Sequence, residues 1–508
     1  MLLVCLAAVV PYLPTINDYF VRDDFGVVWL LAQKPWSYFP RWFVSSWMDG
    51  IWGFTPDEIR PFPAITYQVA ALWGAASPVA NHLMNVALHA GNGLLVLAIA
   101  RVVAGLGLVG ATCAALVFVL LPSQAESVAW VTGRVDSMPA FFYLAAFLLY
   151  ALWRQRGDAR LYQASVAIFF VALFTKQNAI TFGPALVLYD LVIGRRPLQP
   201  SLAWVRPYAP FALLTIGYLA LRFALFGEVA RESQLSAANL EYFFSLVERH
   251  LRRMMFGDVS YGSPALWILV VLLVAVLLRA APRVTLFFGV AWWVLGVAPV
   301  LVAVYESPRH IYLASLAWAM LIGLALDTAS RRRALYRAAG VAAALVLAVY
   351  SWQLVKAVGE WDARERVSRK AVFELQREAL AAPPGALIIA AAPVQSWEWA
   401  LPFVLRPPFV STPLEPRVSV ITPQLLHCCR SEWESFTRET MRSWLGRTGR
   451  PPVIAVRWDA ERGALFRKTE REEPYLRALV EVIVQTDSAA ALDRAILNLV
   501  NRLPAAEQ

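Results

Sequence analysis

Two apolar runs decide the fold class of this chain: residues 106–122 read LGLVGATCAALVFVLLP, and residues 137–153 read SMPAFFYLAAFLLYALW. The segment between them, residues 123–136, reads SQAESVAWVTGRVD and contains acidic and basic side chains. A helix that crosses a bilayer needs about 20 mostly apolar residues. The pattern therefore predicts two spanning helices that are joined by a polar loop at the membrane surface.

The apolar character continues on both sides of this pair. The 508 residues are 59% hydrophobic and only 16% charged, and the mean hydropathy is +0.53. Soluble domains are about half apolar and about a quarter charged. Eleven spans are predicted in all, at 2–16, 80–103, 106–122, 137–153, 162–175, 179–194, 207–226, 264–281, 284–304, 310–327 and 337–355. The first run has no basic segment before it and is interpreted as an uncleaved span; the stretch 64–77 is amphipathic and is expected to lie in the interface.

The C-terminal part of the chain has a different composition. Residues 356–508 are rich in charge and proline, and apolar runs at 386–392 and 452–456 alternate with helical stretches at 363–381 and 474–485. This alternation predicts a soluble mixed α/β domain. The expected fold is thus a polytopic α-helical membrane protein, residues 1–355, followed by a soluble domain, residues 356–508. Within that domain, Cys428 and Cys429 are adjacent and could form a vicinal disulfide.

Positive charge sets the expected orientation. Thirteen arginines lie in alternate connections: Arg101, Arg154, Arg156, Arg160, Arg195, Arg196, Arg206, Arg279, Arg283, Arg331, Arg332, Arg333 and Arg337. Because cytoplasmic loops carry an excess of Lys and Arg, the N-terminus is predicted to be cytoplasmic. An odd number of spans then places residues 356–508 outside. The net charge of +10 is explained by topology, and no nucleic-acid partner is expected.

Polar side chains collect at the mouths of the outward segments. These residues are Asp23, Asp24, Glu126, Arg134, Asp136, Lys176, Gln177, Glu306, Arg309 and His310. Ionisable residues at membrane depth are costly and usually face a cavity or one another. The distribution predicts a site that opens outward, although loops are polar in any membrane protein.

The residue types leave several roles open. Asp23 and Asp24 could supply a general base, a metal ligand or a helix N-cap. Glu126, Arg134 and Asp136 could form an ion-paired network, or Arg134 could bind a phosphate through its two-pronged guanidinium.

The other polar groups are equally ambiguous. Lys176 could extend its amine to the interface or neutralise an anionic phosphate. Arg309 and His310 add positive charge beside Glu306, with ion pairing as the alternative. His82, Asn85 and His89 lie on one helix face and are predicted to be packing groups rather than a metal site.

Several of these motifs occur together in an order that resembles a known family. They are Asp23-Asp24, Arg60-Pro61, HLMNVALH at 82–89, ESVAWVTGRVD at 126–136, Lys176, RHIYL at 309–313 and Trp361-Asp362. Over residues 10–365 the chain resembles the multi-span GT-C glycosyltransferases. The resemblance is greatest to the transmembrane O-mannosyltransferases that carry tetratricopeptide repeats.

The resemblance implies transfer of a sugar from a polyprenyl-phosphate donor to a protein or glycan hydroxyl at the outer face of a membrane, with inversion. Asp23, with Asp24 as its rival, would be the general base. Lys176, Arg309, Arg134 and His310 would bind the donor phosphate. Supporting residues would be Glu126, Asp136, Arg60, Gln177, Glu306 and Tyr312. A divalent cation, Mg²⁺ or Mn²⁺, is compatible with this scheme without being required, and short arginine-rich loops favour a bacterial inner membrane.

The chain also departs from the family pattern. Ser123-Gln124 stands where the family often has histidine, Lys176-Gln177 where it often has Lys-Glu, and residues 356–508 show no tetratricopeptide period. Two other functions remain open at this point: a transporter of lipid-linked sugars, and a degenerate transferase that acts in assembly.

Overall fold

The structure is a computed structural model. It describes residues 1–51, 56–74, 76–199, 201–229, 240–257, 268, 283–303, 307–331, 333–391, 397, 401–414, 416–421, 438–449, 451–467, 473–485 and 494. The predicted span 264–281 (apart from residue 268), Glu306 and the pair Cys428-Cys429 lie outside the described residues.

The described part of the body is helical. Its α-helices are α1 (Leu2–Val9), α2 (Asp24–Ala32), α3 (Pro61–Ala71), α4 (Pro78–Val102), α5 (Leu108–Leu120), α6 (Ala125–Ala129), α7 (Arg134–Arg156), α8 (Ala159–Leu173), α9 (Phe182–Val192), α10 (Leu202–Val205), α11 (Ala209–Phe226), α12 (Leu240–Phe256), α13 (Arg283–Ala303), α14 (Ser315–Ser330) and α15 (Arg333–Ala381). Short 3₁₀ segments join several of them, among them Val10–Asn17, Val131–Gly133, Gln177–Thr181 and Pro308–Ile311.

The helices confirm a membrane body but not the count of eleven spans. Among the described residues, four helical stretches are long and apolar enough to cross a bilayer: Pro78–Val102, Val131–Arg156, Leu202–Phe226 and Tyr336–Ala381. A fifth crossing follows if Leu108–Leu120 and Pro122–Ala129, which meet at a bend of 51°, form one span. The apolar helices Leu2–Asn17, Ala159–Leu173, Leu286–Val300 and Ser315–Ser330 are shorter.

Small residues let two of the central helices pack closely. α5 lies against α14, and a Cβ placed on Gly110 would be 2.8 Å from the backbone carbonyl oxygen of Gly323. In the reverse direction, a Cβ on Gly323 would be 2.5 Å from the carbonyl oxygen of Gly110. In a bilayer, helices associate largely through such close van der Waals packing, which larger side chains would prevent. This contact fixes the helix that precedes the 123–136 loop.

The C-terminal part contains the mixed sheet that the sequence predicts. Its strands are β1 (Leu387–Ala391), β2 (Val418–Ile421), β3 (Val453–Asp459) and β4 (Ala464–Arg467), in the order β2-β1-β3-β4. β1 pairs in parallel with β2 and β3, whereas β4 is antiparallel to β3. The short helices α16 (Leu401–Val404) and α17 (Glu439–Leu445) and the longer α18 (Glu473–Gln485) complete its described elements. Both predicted apolar runs are strands.

The sheet does not have a separate hydrophobic core. Its buried residues share one cluster with the first loop, residues 17–79. Phe25, in α2, meets Phe409 with ring centroids 4.8 Å apart, and a Cβ on Gly26 would lie 2.9 Å from the ring of Phe403. α15 also runs without a break through residues 355 and 356, where composition divides the chain. The C-terminal part is therefore packed directly on the helix that follows Asp23.

Candidate active site

The bend after α5 brings two acidic residues to one place. Pro122 begins a 3₁₀ turn, α6 follows, and α7 starts at Arg134. At the return of the chain, a Cβ on Gly133 would lie 2.9 Å from the Cα of Ser127. Only glycine allows this close backbone approach. As a result Glu126 and Asp136, ten residues apart in sequence, face the same group of cations.

A four-residue charge cluster forms the centre of the candidate site. Asp136 accepts from Lys176 through Oδ1, and its Oδ2 lies 3.3 Å from Nε of Arg309. Arg309 also pairs with Glu126, with Nη1 and Oε1 3.7 Å apart. The hydroxyl of Ser307 donates to the other oxygen of Glu126 at 2.7 Å. The cluster, defined here as Glu126, Asp136, Lys176 and Arg309, draws on three separate segments, as the one-sided distribution of charge predicts.

The cluster borders a small cavity of about 20 Å³, which is room for about one water molecule. Asp136, Lys176, Arg309 and His310 contribute its charged and titratable lining, and Tyr143 and Asn178 are among its other lining residues. Burial lowers the pKa of Lys176 because a charged amine loses hydration there, while the carboxylate of Asp136 acts in the opposite direction. The wall of the cavity thus carries two cations, Lys176 and Arg309, that are paired with carboxylates of the protein.

Arg134 lies elsewhere and has another environment. Its side chain is completely buried, and Nε donates to Asn85 Oδ1 at 3.1 Å. Nη1 donates to Thr66 Oγ1 at 2.8 Å, and Nη2 donates to Asn81 Oδ1 at 2.7 Å. The guanidinium also stacks on Tyr67, 4.3 Å from the ring centroid. With each nitrogen already donating to a neutral protein group, Arg134 anchors the loop to α3 and α4, and it does not join Glu126 and Asp136 in an ion-paired network.

The two adjacent aspartates are distinguished by burial. Asp24 is fully buried; Thr132 donates to its Oδ1 through the backbone N–H at 2.8 Å and the hydroxyl at 2.6 Å. Val21 N–H donates to its other oxygen at 3.2 Å. Burial raises the pKa of Asp24 to about 7, although these hydrogen bonds oppose the shift. Asp23 is partly exposed at the N-cap of α2, and its carboxylate makes no capping hydrogen bond.

Three further supporting residues predicted from the sequence are described by the structure: Arg60, Gln177 and Tyr312. Arg60 pairs with Glu58 at 2.8 Å, and its charge contributes to lowering the pKa of Lys176. Gln177 begins the 3₁₀ turn after Lys176 and is half-buried. Tyr312 lines the cavity, and its hydroxyl lies 2.7 Å from Nδ1 of His89.

The histidines of α4 are buried, and Nε2 of His82 lies 3.9 Å from a carboxylate oxygen of Glu365. Nε2 of His89 lies 3.0 Å from the carbonyl oxygen of Val119, and Asn85 donates to the carbonyl oxygen of Trp130 at 2.8 Å. Across the described ranges, no three His, Cys, Asp or Glu side chains converge as metal ligands would.

Sequence reasoning assigned no role to two tryptophans beside the cluster. Trp130 and Trp361 stack with centroids 5.9 Å apart and an interplanar angle of 13°. Arg309 lies over Trp130 at 4.7 Å, and Arg22 lies over Trp361 at 5.6 Å. Both tryptophans occur in motifs quoted above, and this was the only feature of the sequence that could have indicated a role for them.

Comparison with known proteins gives consistent results. Tmtc1 of Drosophila melanogaster, named a protein O-mannosyl-transferase, is 30% identical over 187 residues, which are 34% of this chain and 20% of Tmtc1. Human TMTC4, with the same description, is 28% identical over 220 residues, 38% of this chain and 29% of TMTC4. Over about a third of its length, the chain is thus similar to proteins named protein O-mannosyl-transferases. No family model matches it.

The fold comparison covers nearly the whole chain. The crystal structure of Cupriavidus metallidurans ArnT bound to undecaprenyl phosphate superimposes with a TM-score of 0.54 at 16% identity. The match covers 91% of this chain and 93% of ArnT, and the apo structure of ArnT gives a TM-score of 0.52. The fold of this chain is thus similar to that of ArnT. The chain spans less than a third of the length of the TMTC relatives named above.

Proposed function

We propose that this protein is a membrane glycosyltransferase that moves a sugar from a polyprenyl-phosphate donor to an acceptor hydroxyl. The observation that carries the proposal is the pair of cations, Lys176 and Arg309, that meets at a cavity between helices. The shared fold with ArnT, whose structure contains undecaprenyl phosphate, supports a lipid phosphate as the ligand of those cations. The similarity to O-mannosyltransferases supports sugar transfer to a hydroxyl.

The phosphate end of the reaction needs positive charge. As the acceptor oxygen bonds to the anomeric carbon, the bond from that carbon to the phosphate oxygen breaks, and negative charge grows on the departing lipid phosphate. Lys176 and Arg309, together with His310 at the same wall, stabilise that charge. Fixed charges in a site with little water are effective because they need no reorganisation during the reaction. Attack from the face opposite the leaving phosphate inverts the anomeric centre.

The acceptor end needs a base. Asp23 is assigned this role, since it is partly exposed and lies at the start of α2. It takes the proton of the acceptor hydroxyl as the oxygen attacks. Asp24 is assigned a structural role, because both of its oxygens are held by Thr132 and Val21 away from solvent. Arg134 is assigned to anchoring rather than to phosphate binding.

The proposed setting is the outer face of a bacterial inner membrane. The arginine-rich alternate connections support a cytoplasmic N-terminus. The cluster and the sheet would then share the outer side, where a polyprenyl phosphate head group is accessible. The acceptor is a protein or glycan hydroxyl, in line with the TMTC relatives.

The test is transfer of radiolabelled sugar from polyprenyl-phosphate donors by purified protein in lipid nanodiscs. Asp23→Asn is expected to lower turnover about 10²–10⁴-fold, the range for loss of a general base. Asp158→Asn is the matched control: it makes the same chemical change at an exposed N-cap where asparagine serves equally well. Full turnover of Asp23→Asn, or equal losses in both variants, would contradict the assignment.

A further inference from the structure

Two buried tryptophans connect the phosphate end of the candidate site with the acidic end. We propose that Trp130 and Trp361 are positioning residues, and that their stacked rings hold Arg309 and the segment bearing Asp23 at a fixed separation. The inference rests on the proposed function, because it takes Arg309 as a phosphate ligand and Asp23 as the base. The pair is called the tryptophan bridge below.

The geometry of the bridge is that of a column. The two rings are nearly parallel, 13° apart, and each is almost wholly buried. Arginines lie over both rings: Arg309 is 4.7 Å from the centroid of Trp130, and Arg22 and Arg364 are 5.6 and 5.0 Å from that of Trp361. Cations within about 6 Å of a ring centroid are attracted by its electron-rich face. The column therefore runs from the charge cluster to the residue before Asp23.

Each stacked contact fixes an arginine without occupying its hydrogen-bond donors. The guanidinium is planar, and its N–H groups point along the edges of that plane. Trp130 covers the face of Arg309, while Glu126 and Asp136 meet its edges. An arginine restrained in this way loses less rotational freedom when its edge groups bind a phosphate. This is the reason to expect an effect of Trp130 on ligand binding.

The backbone at the other end of the column is strained. Arg22 has φ +51°, in the left-handed region, which non-glycine residues rarely adopt. Such conformations persist where surrounding contacts determine them, and they cluster at functional sites. Here Arg22 reaches Trp361, and the chain turns directly afterwards into Asp23 and α2. Trp361 thereby constrains where the proposed base stands.

The bridge also involves the long helix that leads to the sheet. Trp361 lies on α15, which continues to Ala381 just before β1. Trp130 lies 231 positions earlier in the 123–136 loop, between α6 and the 3₁₀ turn Val131–Gly133. Two segments remote in sequence thus supply the two rings.

The two tryptophans are expected to affect different kinetic quantities. Loss of the Trp130 ring face releases Arg309 and weakens phosphate binding. Loss of the Trp361 ring face releases Arg22 and displaces the base, so it lowers kcat at an unchanged affinity for the lipid phosphate. A role in packing alone would change both quantities only as far as it changes folding.

The experiment compares side chains of similar size with and without an aromatic face. Binding of undecaprenyl phosphate to full-length protein in nanodiscs is measured for Trp130→Phe, Trp130→Leu and Trp130→Met. Cation–π contacts contribute enough for about 2- to 30-fold changes in affinity. The leucine and methionine variants are expected to bind more weakly by that factor, and the phenylalanine variant is expected to stay within about 2-fold of wild type. Equal affinities for all three folded variants would overturn the role of Trp130.

Trp361 provides a second measurement that does not depend on the first. Trp361→Leu is expected to lower kcat with undecaprenyl phosphate affinity within about 2-fold of wild type, and Trp361→Phe is expected to restore much of kcat. Equal kcat values in the two variants would overturn the bridge at this end. Arg309→Gln separates the inference from the proposed function. If that variant binds the lipid phosphate as tightly as wild type, the phosphate site itself is wrong; if it binds weakly while the Trp130 variants do not differ, only the bridge is wrong.

Discussion

Asp136 lies between Lys176 and Arg309, the two cations that we propose bind the donor phosphate. It accepts from Lys176 and lies 3.3 Å from Arg309, so it already balances both charges. The substitution Asp136→Asn keeps the size of the side chain and removes the charge. Lys176 then loses its carboxylate partner, whereas Arg309 keeps Glu126 at 3.7 Å. The consequence is an excess of positive charge beside the cavity.

The size of the effect follows from these separations. Two unit charges 3.3 Å apart interact by about 5 kcal/mol at an effective dielectric constant of about 20. Measured losses for removing one partner of a buried pair are about 3–5 kcal/mol. We expect the ligand-free variant to be less stable by about 3 kcal/mol. Because a bound phosphate restores a partner to the cations, roughly half of this should return on binding, which corresponds to about tenfold tighter binding.

The assay follows thermal unfolding in nanodiscs with and without undecaprenyl phosphate, together with a direct binding titration. The expected signature is a lower midpoint without ligand and a larger upward shift with ligand than in wild type. Glu126→Gln is the matched control; its carboxylate lies farther from the shared cation, and the gain in affinity should be smaller. Weaker binding by Asp136→Asn would refute the competition between carboxylate and phosphate, and would show instead that Asp136 orients Lys176 for the ligand.

Three further variants test other parts of the structure. Gly323→Ala places a methyl group 2.5 Å from a carbonyl oxygen of α5 and should lower the free energy of unfolding by about 1–3 kcal/mol. The control is Gly217→Ala, whose added methyl group would meet nothing within 4 Å; thermal unfolding should show it to be neutral or slightly stabilising. Arg134→Met should destabilise the protein by about 3 kcal/mol or more, because buried acceptors lose their donor, and the loss should appear equally with and without lipid phosphate. The raised pKa of Asp24, about 7 against about 4 when unfolded, means that the folded protein binds the extra proton between these values. The stabilisation that protonated Asp24 gives the folded protein is therefore present at low pH and lost as pH rises through 7. In wild type the unfolding midpoint should fall between pH 5.5 and pH 8, and Asp24→Asn should make this fall smaller. A fall of the same size in the variant would contradict the raised pKa.

The distribution of charge along the sequence predicts which residues meet, but not how they pair. Glu126, Asp136, Lys176 and Arg309 follow apolar helices on the same predicted side, so topology alone places them close together. Their pairing depends on the 51° bend at Pro122 and on the close turn at Gly133. The spacing of apolar residues does not predict the angle of this bend or the closeness of this turn. A change of about one ångström in the distance between the charged groups is enough to make or break an ion pair.

Arg134 shows a second limit of sequence reasoning. An arginine between an acidic residue and a membrane helix has the same local sequence whether it binds a ligand or the protein itself. Its actual partners, Thr66, Asn81 and Asn85, come from two earlier helices and are neutral. Their side chains face the loop only because α3 and α4 pack there. The residue type therefore predicts that Arg134 donates several hydrogen bonds, but tertiary packing determines which groups accept them.

The boundary between membrane body and C-terminal part shows why composition and structure divide a chain differently. Composition changes near residue 355 because apolar side chains are no longer required there. A helix can leave the apolar region without interruption, and α15 continues for 26 residues beyond that point. Its later turns carry Trp361, which meets Trp130, and Ser368, whose hydroxyl donates to the carbonyl oxygen of Phe20 at 2.6 Å.

Through such contacts the C-terminal part, which contains the sheet, helps to hold the candidate site in position. α2 begins directly after Asp23, and its next residues pack on the C-terminal part: Phe25 against Phe409, and Gly26 where a side chain would collide with Phe403. The position of the proposed base is therefore set from two directions, by the tryptophan bridge through Arg22 and by the C-terminal part through α2. A ligand that moved the C-terminal part would reach Asp23 through these aromatic contacts, and it would reach Arg309 through Trp361 and Trp130. The acceptor end of the site thus depends on the C-terminal part through α2, and the phosphate end depends on it through α15 and the stacked tryptophans.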